Sequence, residues 1–232
     1  MTGSGLGMVA IGKRLRLVAQ LAATLMVLAF VPGNVVKVIL FLVVWGVSFG
    51  RVTRAEVVLF VAACGFFTIM NALSLRQGIF AFSRPDFLGM PAYEIFMWGF
   101  YLLHTRRMLE GPAPNGREAV AWALAILYAI AFGTIPDQGV LLVVTAVLLI
   151  VALGFFHERL DFAYMGYMIL LGAAIEYTGV LAGEWYYPGD PTGGVPPWFI
   201  TLWGGVGLFL RRLVLPIVMR FEAKHGAAGA SA

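Results

Sequence analysis

Residues 78–99 read GIFAFSRPDFLGMPAYEIFMWG, and residues 183–204 read GEWYYPGDPTGGVPPWFITLWG. The two stretches align without a gap at an offset of 105 positions, and the same offset places Arg106-Arg107 on Arg211-Arg212 and Arg54 on Arg159. Self-similarity at a fixed offset indicates a duplicated structural unit. We therefore predict one repeat over residues 1–110, a second over 111–220, and a disordered tail over 221–232. The identical positions within the two stretches are Gly78/Gly183, Gly89/Gly194, Pro91/Pro196, Ile95/Ile200, Trp98/Trp203 and Gly99/Gly204.

The composition is that of a membrane protein. Hydrophobic residues make up 61% of the chain and charged residues 12%, whereas a soluble domain carries about 25% charged residues. Apolar runs near the ~20 residues that cross a bilayer fall at 15–31, 34–50, 54–76, 91–109, 118–135, 138–156, 161–183 and 196–217. We predict an all-α membrane protein of about eight transmembrane helices, although the first two runs also fit a tight hairpin. Four helices per repeat make the two repeats parallel.

The basic residues predict the orientation. With the N-terminus in the cytoplasm, thirteen of the 16 Lys and Arg residues fall on the cytoplasmic side, and the other three are Lys37, Arg76 and Arg84. This asymmetry follows the positive-inside rule. We expect a multi-pass protein of the inner (cytoplasmic) membrane with both termini cytoplasmic and with loops 77–90 and 184–195 outside. The cations form no stripe along one surface, so we expect no nucleic-acid partner.

Few ionisable groups lie within the apolar runs, and such groups are functional candidates because they are costly in a bilayer. Glu176 lies about two turns before the end of the seventh run, and Glu94 lies in the first turn of the fourth. Asn71 occupies the repeat position of Glu176, and Arg76 follows it. We predict that these four converge in an outer-leaflet pocket, with Glu176 as the principal acid and Glu94 as its partner. Alternatively, Glu94 complements the helix dipole and Arg76 extends to the interface.

Aromatic side chains surround these polar positions and predict a cavity for a lipophilic substrate, with π faces that stabilise a carbocation. The alternative is an ordinary interfacial aromatic belt. His104, His157 and His225 are scattered, so we expect no metal and no cofactor, and the lone Cys64 allows no internal disulfide. The aromatic residues assigned to substrate binding, with Asn71 and Arg76, are Tyr93, Trp98, Tyr177, Trp185, Tyr187, Trp198 and Trp203.

The motifs Gly78-Ile-Phe-Ala-Phe and Pro91-Ala-Tyr-Glu94-Ile-Phe96 resemble those of the integral-membrane lycopene cyclases of the two-subunit or fused type. The second copy, with Glu176-Tyr-Thr-Gly179 and Gly183-Glu-Trp-Tyr-Tyr187, also resembles the carotenoid hydratases that act on bacterioruberin precursors. Only one acid of the paired carboxylates of the cyclase motif is present, at Glu94. The resemblance covers about 40 residues in each half. It implies a rhodopsin-like helical bundle and an acid in an apolar pocket that acts on an isoprenoid.

Two functions remain open from the sequence. The first is an integral-membrane enzyme that modifies an isoprenoid or carotenoid-like substrate by cofactor-free acid–base chemistry, through cyclisation, hydration or isomerisation. The second is a non-catalytic membrane protein, such as a lipid or small-molecule transporter or an assembly subunit. In both, the expected partners are a lipophilic small molecule and membrane lipid, and an oligomer is compatible with either.

Overall fold

The computed structural model describes residues 3–189 and 194–229, and within these residues the fold is all-helical apart from two short strands. The helices pack as a bundle, with a continuous hydrophobic core between them. The elements are α1 (Gly3–Phe30), α2 (Asn34–Phe49), α3 (Arg54–Arg76), β1 (Ala81–Phe82), α4 (Glu94–Met108), α5 (Glu118–Thr134), α6 (Gln138–Phe155), α7 (Arg159–Leu181), β2 (Trp185–Tyr186), α8 (Trp198–Phe209), a π-helical turn (Leu210–Val214) and α9 (Leu215–Gly229).

Four helices of the described chain are long and apolar enough to cross a membrane: α3, α6, α7 and the continuous rod Trp198–Lys224 formed by α8, the π turn and α9. Two shorter apolar helices, α2 and α5, accompany them. The protein is therefore a multi-pass helical membrane protein. Helix α9 continues to Gly229, through most of the segment for which the sequence predicts a disordered tail. The remainder, 230–232, lies outside the described residues.

Helices α3 and α7 begin and end at positions 105 residues apart. Both start with an acidic residue in the first turn that caps the helix. The Glu56 carboxylate accepts the backbone N–H of Thr53 at 2.9 Å, and the Asp161 carboxylate accepts that of Glu158 at 2.8 Å. Each satisfies a donor that the helix itself leaves free.

The same two carboxylates also bind the arginine pairs. Arg107 forms two hydrogen bonds with Glu56, at 2.7 and 2.6 Å, and Arg212 forms two with Asp161. Arg211 adds a bond to Glu158 at 2.6 Å. The start of α3 is thereby joined to the end of α4, and the start of α7 to the π turn.

Helices α4 and α8 occupy the interior, and α4 is buried from Met97 to Thr105. Large apolar side chains on the outer helices stay exposed, as Val47, Ile150 and Leu181 do, which suits contact with lipid. The loops that follow α3 and α7 meet where β1 pairs with β2 in an antiparallel ladder, with Ala81 opposite Tyr186 and Phe82 opposite Trp185. This ladder lies over the site described next.

Candidate functional site

Glu94 and Glu176, the two acids predicted from the sequence, line one cavity of about 50 Å³, which we call the acid chamber. Its walls come from α3, α4, α7, α8 and the β1–β2 loops. Both acids are buried, with 8% of each residue exposed. The chamber is lined by Asn71, Phe80, Phe82, Glu94, Trp98, Tyr101, Ile175, Glu176, Trp185, Tyr187, Trp198, Leu202 and Trp203.

Glu176 is held by three donors. Its Oε2 accepts hydrogen bonds from Trp185 Nε1 at 3.0 Å and from the Tyr187 hydroxyl at 2.6 Å, and its Oε1 accepts one from Trp203 Nε1 at 3.1 Å. An indole N–H can only donate. Burial, together with the neighbouring Glu176, raises the pKa of the Tyr187 hydroxyl well above its ordinary value, so this group keeps its proton and donates as well. Both oxygens of Glu176 therefore serve as acceptors.

Two glycines of α7 allow the indoles to reach Glu176. A Cβ on Gly172 would lie 2.2 Å from Trp203, and a Cβ on Gly179 would lie 2.0 Å from Trp185. Real Cβ atoms do not come so close, so both positions require the absence of a side chain. Gly172, Glu176 and Gly179 have the spacing i, i+4, i+7, which places them on one face of the helix.

Glu94 is bound more loosely than Glu176. Its Oε1 accepts a hydrogen bond from Asn71 Nδ2 at 3.0 Å. Its Oε2 makes no hydrogen bond to any other described residue. The indole N–H of Trp98 lies close to Glu94. It is buried, however, and does not reach hydrogen-bonding geometry with Glu94 or with any other described residue.

Aromatic rings stack beside the acids. Phe67 and Trp98 are parallel, with ring centroids 3.9 Å apart. Trp98 stacks on Trp203 at 4.9 Å, and Tyr101 meets Trp203 edge-on at 4.9 Å. The rings of Trp98, Tyr101 and Trp203 therefore form a continuous π surface on the chamber wall, and a ring face attracts a cation that lies within about 6 Å of it.

An apolar groove of about 440 Å³ adjoins the chamber. Along α3 it extends from Val58 to Ser74, or about 24 Å at the ~1.5 Å rise per residue of a helix. Half-exposed side chains such as Phe66, Trp122 and Ile217 line it, so it opens on the lipid-facing surface. The groove and the chamber share the wall residues Asn71, Phe80, Trp98, Trp198 and Leu202.

Another buried acid, Glu184, lies in a separate polar cluster beside the β1–β2 ladder. It contacts Lys37 at 2.5 Å and Arg84 at 2.9 Å, and it accepts a hydrogen bond from the Tyr93 hydroxyl at 2.8 Å. Lys37 is fully buried. Sequence analysis treated Lys37 only as a topology marker, because a single lysine near a helix start carries no pattern that predicts its partner.

Of the residues predicted to form the pocket, the structure brings together Glu176, Glu94, Asn71, Trp98, Trp185, Tyr187, Trp198 and Trp203. Three others lie elsewhere. Arg76 is exposed at the last position of α3 and does not line the chamber or the groove. Tyr177 is 46% exposed and packs edge-on against Phe199, and Tyr93 belongs to the Glu184 cluster. Arg76 lies outside the chamber because it is five residues after Asn71, which turns it about 140° around the helix from the face that carries Asn71.

Sequence analysis missed Tyr101, which lines the chamber and is 2% exposed. The spacing of Glu94, Trp98 and Tyr101 is i, i+4, i+7, which defines one face of a helix, and this spacing was sufficient to find it. No group of three potential metal ligands occurs among the described residues. His104 is buried between Gln20, at 2.9 Å, and the Tyr167 hydroxyl, at 2.6 Å.

The fold resembles that of a bacterial protein of known structure. The crystal structure of an Insig homologue from Mycobacterium vanbaalenii superposes with a TM-score of 0.59 over 71% of this chain and 96% of that chain, at 18% identity. The structure of a cross-linked trimer of the same homologue also gives a TM-score of 0.59, over 72% and 96% of the two chains, at 17% identity. At such identity the likeness concerns the fold alone. No protein-family model matches the chain, and no curated protein matches it in sequence.

Proposed function

We propose that the protein is an integral-membrane enzyme that modifies an isoprenoid or carotenoid-like lipid by cofactor-free acid–base chemistry. The observation that carries this proposal is the acid chamber at the end of a lipid-facing groove. Two buried carboxylates are expensive to maintain in a membrane protein and are a functional hypothesis by default. Neither acid is paired with a cation among the described residues, as a structural ion pair would be.

The shape and lining of the groove indicate the substrate class. A groove about 24 Å long extends over most of the ~30 Å hydrocarbon core, and its lining is almost wholly apolar. Such a groove suits one extended hydrocarbon chain that enters sideways from the bilayer. A hydrophilic solute would lose its hydration there without gaining hydrogen bonds.

We assign the two acids different roles. Three donors converge on Glu176, which favours its carboxylate form, because hydrogen bonds to a charged group stabilise that group. Two carboxylates in one small chamber repel each other when both are ionised, so a single proton is retained between them. Glu94 has one hydrogen bond and an oxygen available to the chamber, and it carries that proton. This assignment reverses the order expected from the sequence, in which Glu176 was the principal acid.

The chemistry then follows. Glu94 donates its proton to one carbon of a substrate double bond; the π pair forms the new C–H bond, and the neighbouring carbon becomes a cation. The π faces of Trp98 and Trp203 and the negative charge of Glu176 stabilise that cation. Loss of a proton from an adjacent carbon to a carboxylate completes an isomerisation. The same loss after attack by a second double bond completes a cyclisation, and attack by water followed by proton loss completes a hydration.

The finer architecture belongs to the same proposal. The positive-inside bias supports cytoplasmic termini in the inner membrane, and the coincident bounds of α3 and α7 support two parallel four-helix repeats. The chamber would then lie in the outer leaflet. The cross-linked trimer of the Insig homologue makes an oligomer of this chain a reasonable expectation.

Expression in cells that make lycopene and related polyenes tests the enzyme. Lipid extracts of cells with wild type, Glu94→Gln, Glu176→Gln and Glu118→Gln are compared by chromatography and mass spectrometry. Glu118 is 48% exposed in its side chain and pairs with Arg220 outside the chamber, so its amide variant is a matched control. We expect a new product with wild type and with the control, and at least a ~100-fold loss with either chamber variant.

Absence of any new product with wild type across a panel of isoprenoids would overturn the enzyme proposal. If, in addition, a polyene co-purified with the protein unchanged, the non-catalytic lipid carrier would be the better account. A product made equally well by Glu94→Gln would show that Glu94 is not the proton donor.

A further inference from the structure

Three polar groups of the acid chamber point to a ligand that the hydrocarbon groove does not explain. Trp98 Nε1 is buried without a hydrogen-bond partner, and the residue as a whole is only 5% exposed. The Tyr101 hydroxyl makes no hydrogen bond to another residue of the described chain. Glu94 uses one oxygen for Asn71 and leaves the other free. All three residues line the chamber.

The second repeat shows what a satisfied arrangement looks like. Trp203 occupies the repeat position of Trp98, and its Nε1 donates to Glu176 at 3.1 Å. Trp203 reaches that acid because Gly172 leaves space against α7. The repeat position of Gly172 is Phe67, whose ring instead stacks on Trp98 at 3.9 Å. The first repeat thus holds its indole beside the chamber with the N–H unused.

Unused donors in a buried chamber carry a cost. A buried polar group without a partner destabilises the folded protein, and most such groups in proteins bind each other, water or a ligand. A pure hydrocarbon would leave the Trp98 and Tyr101 donors unpaired. One oxygen atom between them would accept both hydrogen bonds, and about 50 Å³ accommodates a small oxygen-bearing group, since a water occupies about 30 Å³ of liquid.

We propose that the acid chamber contains a binding position for a single oxygen atom, which accepts hydrogen bonds from Trp98 Nε1 and the Tyr101 hydroxyl and lies beside Glu94. The ligand class is an isoprenoid lipid with a hydroxyl, ether or carbonyl oxygen at the end that enters the chamber, or a water molecule bound beside a hydrocarbon end. The identity of the chain as an isoprenoid rests on the proposed function. The oxygen position rests on the unpaired donors alone.

A matched pair of ligands tests the position without requiring catalysis. The purified full-length protein in lipid nanodiscs is titrated with geranylgeraniol and with the hydrocarbon that lacks its hydroxyl group, and both dissociation constants are measured. We expect wild type to bind the alcohol about tenfold more tightly, which corresponds to one or two net hydrogen bonds. Tyr101→Phe and Trp98→Phe are each expected to reduce this preference to about twofold.

Two control variants separate this effect from general damage. Tyr164→Phe removes a hydroxyl that donates to the Leu109 carbonyl, and Trp45→Phe removes an indole N–H that donates to Thr24. Neither residue lines the chamber or the groove. Both controls should keep the full preference for the alcohol, even where they lower stability.

A second arm distinguishes the two sources of the oxygen. Where a product forms, the reaction is repeated in H₂¹⁸O. If wild type prefers the alcohol and the product contains no ¹⁸O, the oxygen position belongs to the lipid's own oxygen. If the two ligands bind with equal affinity and the product contains ¹⁸O, the position belongs to water. Equal affinities without ¹⁸O incorporation overturn the proposal, and so does a preference that survives both chamber variants. If no substrate is converted at all, the enzyme proposal fails, and the affinity ratio alone then decides whether the position exists.

Discussion

At the scale of single residues, the two repeats use the same tryptophan in different ways. Trp203 donates to Glu176, whereas Trp98 has no acceptor. We predict that Trp203→Phe lowers the free energy of unfolding by about 1.5–3 kcal/mol, the usual contribution of a hydrogen bond to a charged group. Trp98→Phe removes no hydrogen bond and should cost less than about 1.5 kcal/mol. Thermal unfolding of the two variants in the same detergent gives the comparison, and equal losses would contradict it.

The glycines of α7 give a second prediction at this scale. Gly172→Ala places a methyl group where the Trp203 indole lies, so the indole must move and its bond to Glu176 must lengthen. We expect a loss of about 1–3 kcal/mol from overpacking and, if the enzyme proposal holds, a parallel loss of product. Gly166→Ala is the matched control on the same helix, because nothing lies within 4 Å of its added Cβ. That control should be neutral or slightly stabilising, since alanine favours a helix over glycine.

At the scale of elements, the arginine pairs join the start of α3 to the end of α4 and the start of α7 to the π turn. Asp161 is fully buried and binds both Arg211 and Arg212. Asp161→Asn leaves two buried guanidinium groups with Glu158 as their one remaining carboxylate among the described residues, and breaking a buried ion pair costs about 3–5 kcal/mol. Glu118→Gln, which breaks an exposed ion pair with Arg220, should cost less than about 1 kcal/mol. Chemical or thermal unfolding of both variants measures the difference. A loss of stability in Asp161→Asn no larger than that in Glu118→Gln would disprove the anchoring role.

The same cluster predicts a response to pH. Burial acts to raise the pKa of Glu158, but the Asn115 backbone N–H and the two arginines outweigh it and hold that pKa below its ordinary value. A carboxyl group with a lowered folded-state pKa stabilises the protein above its unfolded-state pKa, and this contribution is lost as the pH falls through the folded-state pKa. The melting temperature should therefore fall on acidification, and Glu158→Gln should reduce that fall. If the melting temperature of Glu158→Gln falls as much on acidification as that of wild type, Glu158 does not contribute to the pH dependence of stability.

The helices show how far a sequence can predict such a structure. The bounds of α3 were predictable because a Thr–Glu capping box starts it and an apolar run of spanning length follows. The π turn at Leu210–Val214 and the pairing of β1 with β2 were not predictable, because each depends on contacts between distant segments. The sequence predicted that Glu94 and Glu176 lie in one pocket, because an acid in an apolar run stands out, and both line the acid chamber. Arg76 and Tyr177 lie outside the chamber. The position of a residue within an apolar run predicts its depth in the membrane but not the side of the helix on which it lies.

At the scale of the whole molecule, the two halves share the repeated sequence positions but differ in which of them carry polar side chains. Where the second half has Glu176 with the donors Trp185 and Tyr187, the first half has Asn71 with Phe80 and Phe82 at the same repeat positions. The acid and two of its three donors therefore occur together in one half and are absent together from the other, whereas the third donor, Trp203, has Trp98 as its counterpart. Glu94 shows the reverse pattern, because its repeat position is Phe199. A single asymmetric chamber results from the two halves, and under the proposed function it would bind one substrate in one orientation.

The orientation of the whole bundle gives the last prediction. In a Cys64→Ala background, single cysteines are introduced at Ser83 in the loop between α3 and α4 and at Asn115 in the loop before α5, both of which are exposed. Because the basic residues cluster on the side of Asn115, we expect a membrane-impermeant maleimide to label Ser83→Cys in spheroplasts and Asn115→Cys only after permeabilisation. Val147→Cys, 53% exposed in the middle of α6, should resist the reagent in both conditions if lipid covers it. The opposite labelling pattern at Ser83 and Asn115 would show that the protein has the inverted orientation, with the acid chamber on the cytoplasmic side. Its substrate would then have to enter from the inner leaflet.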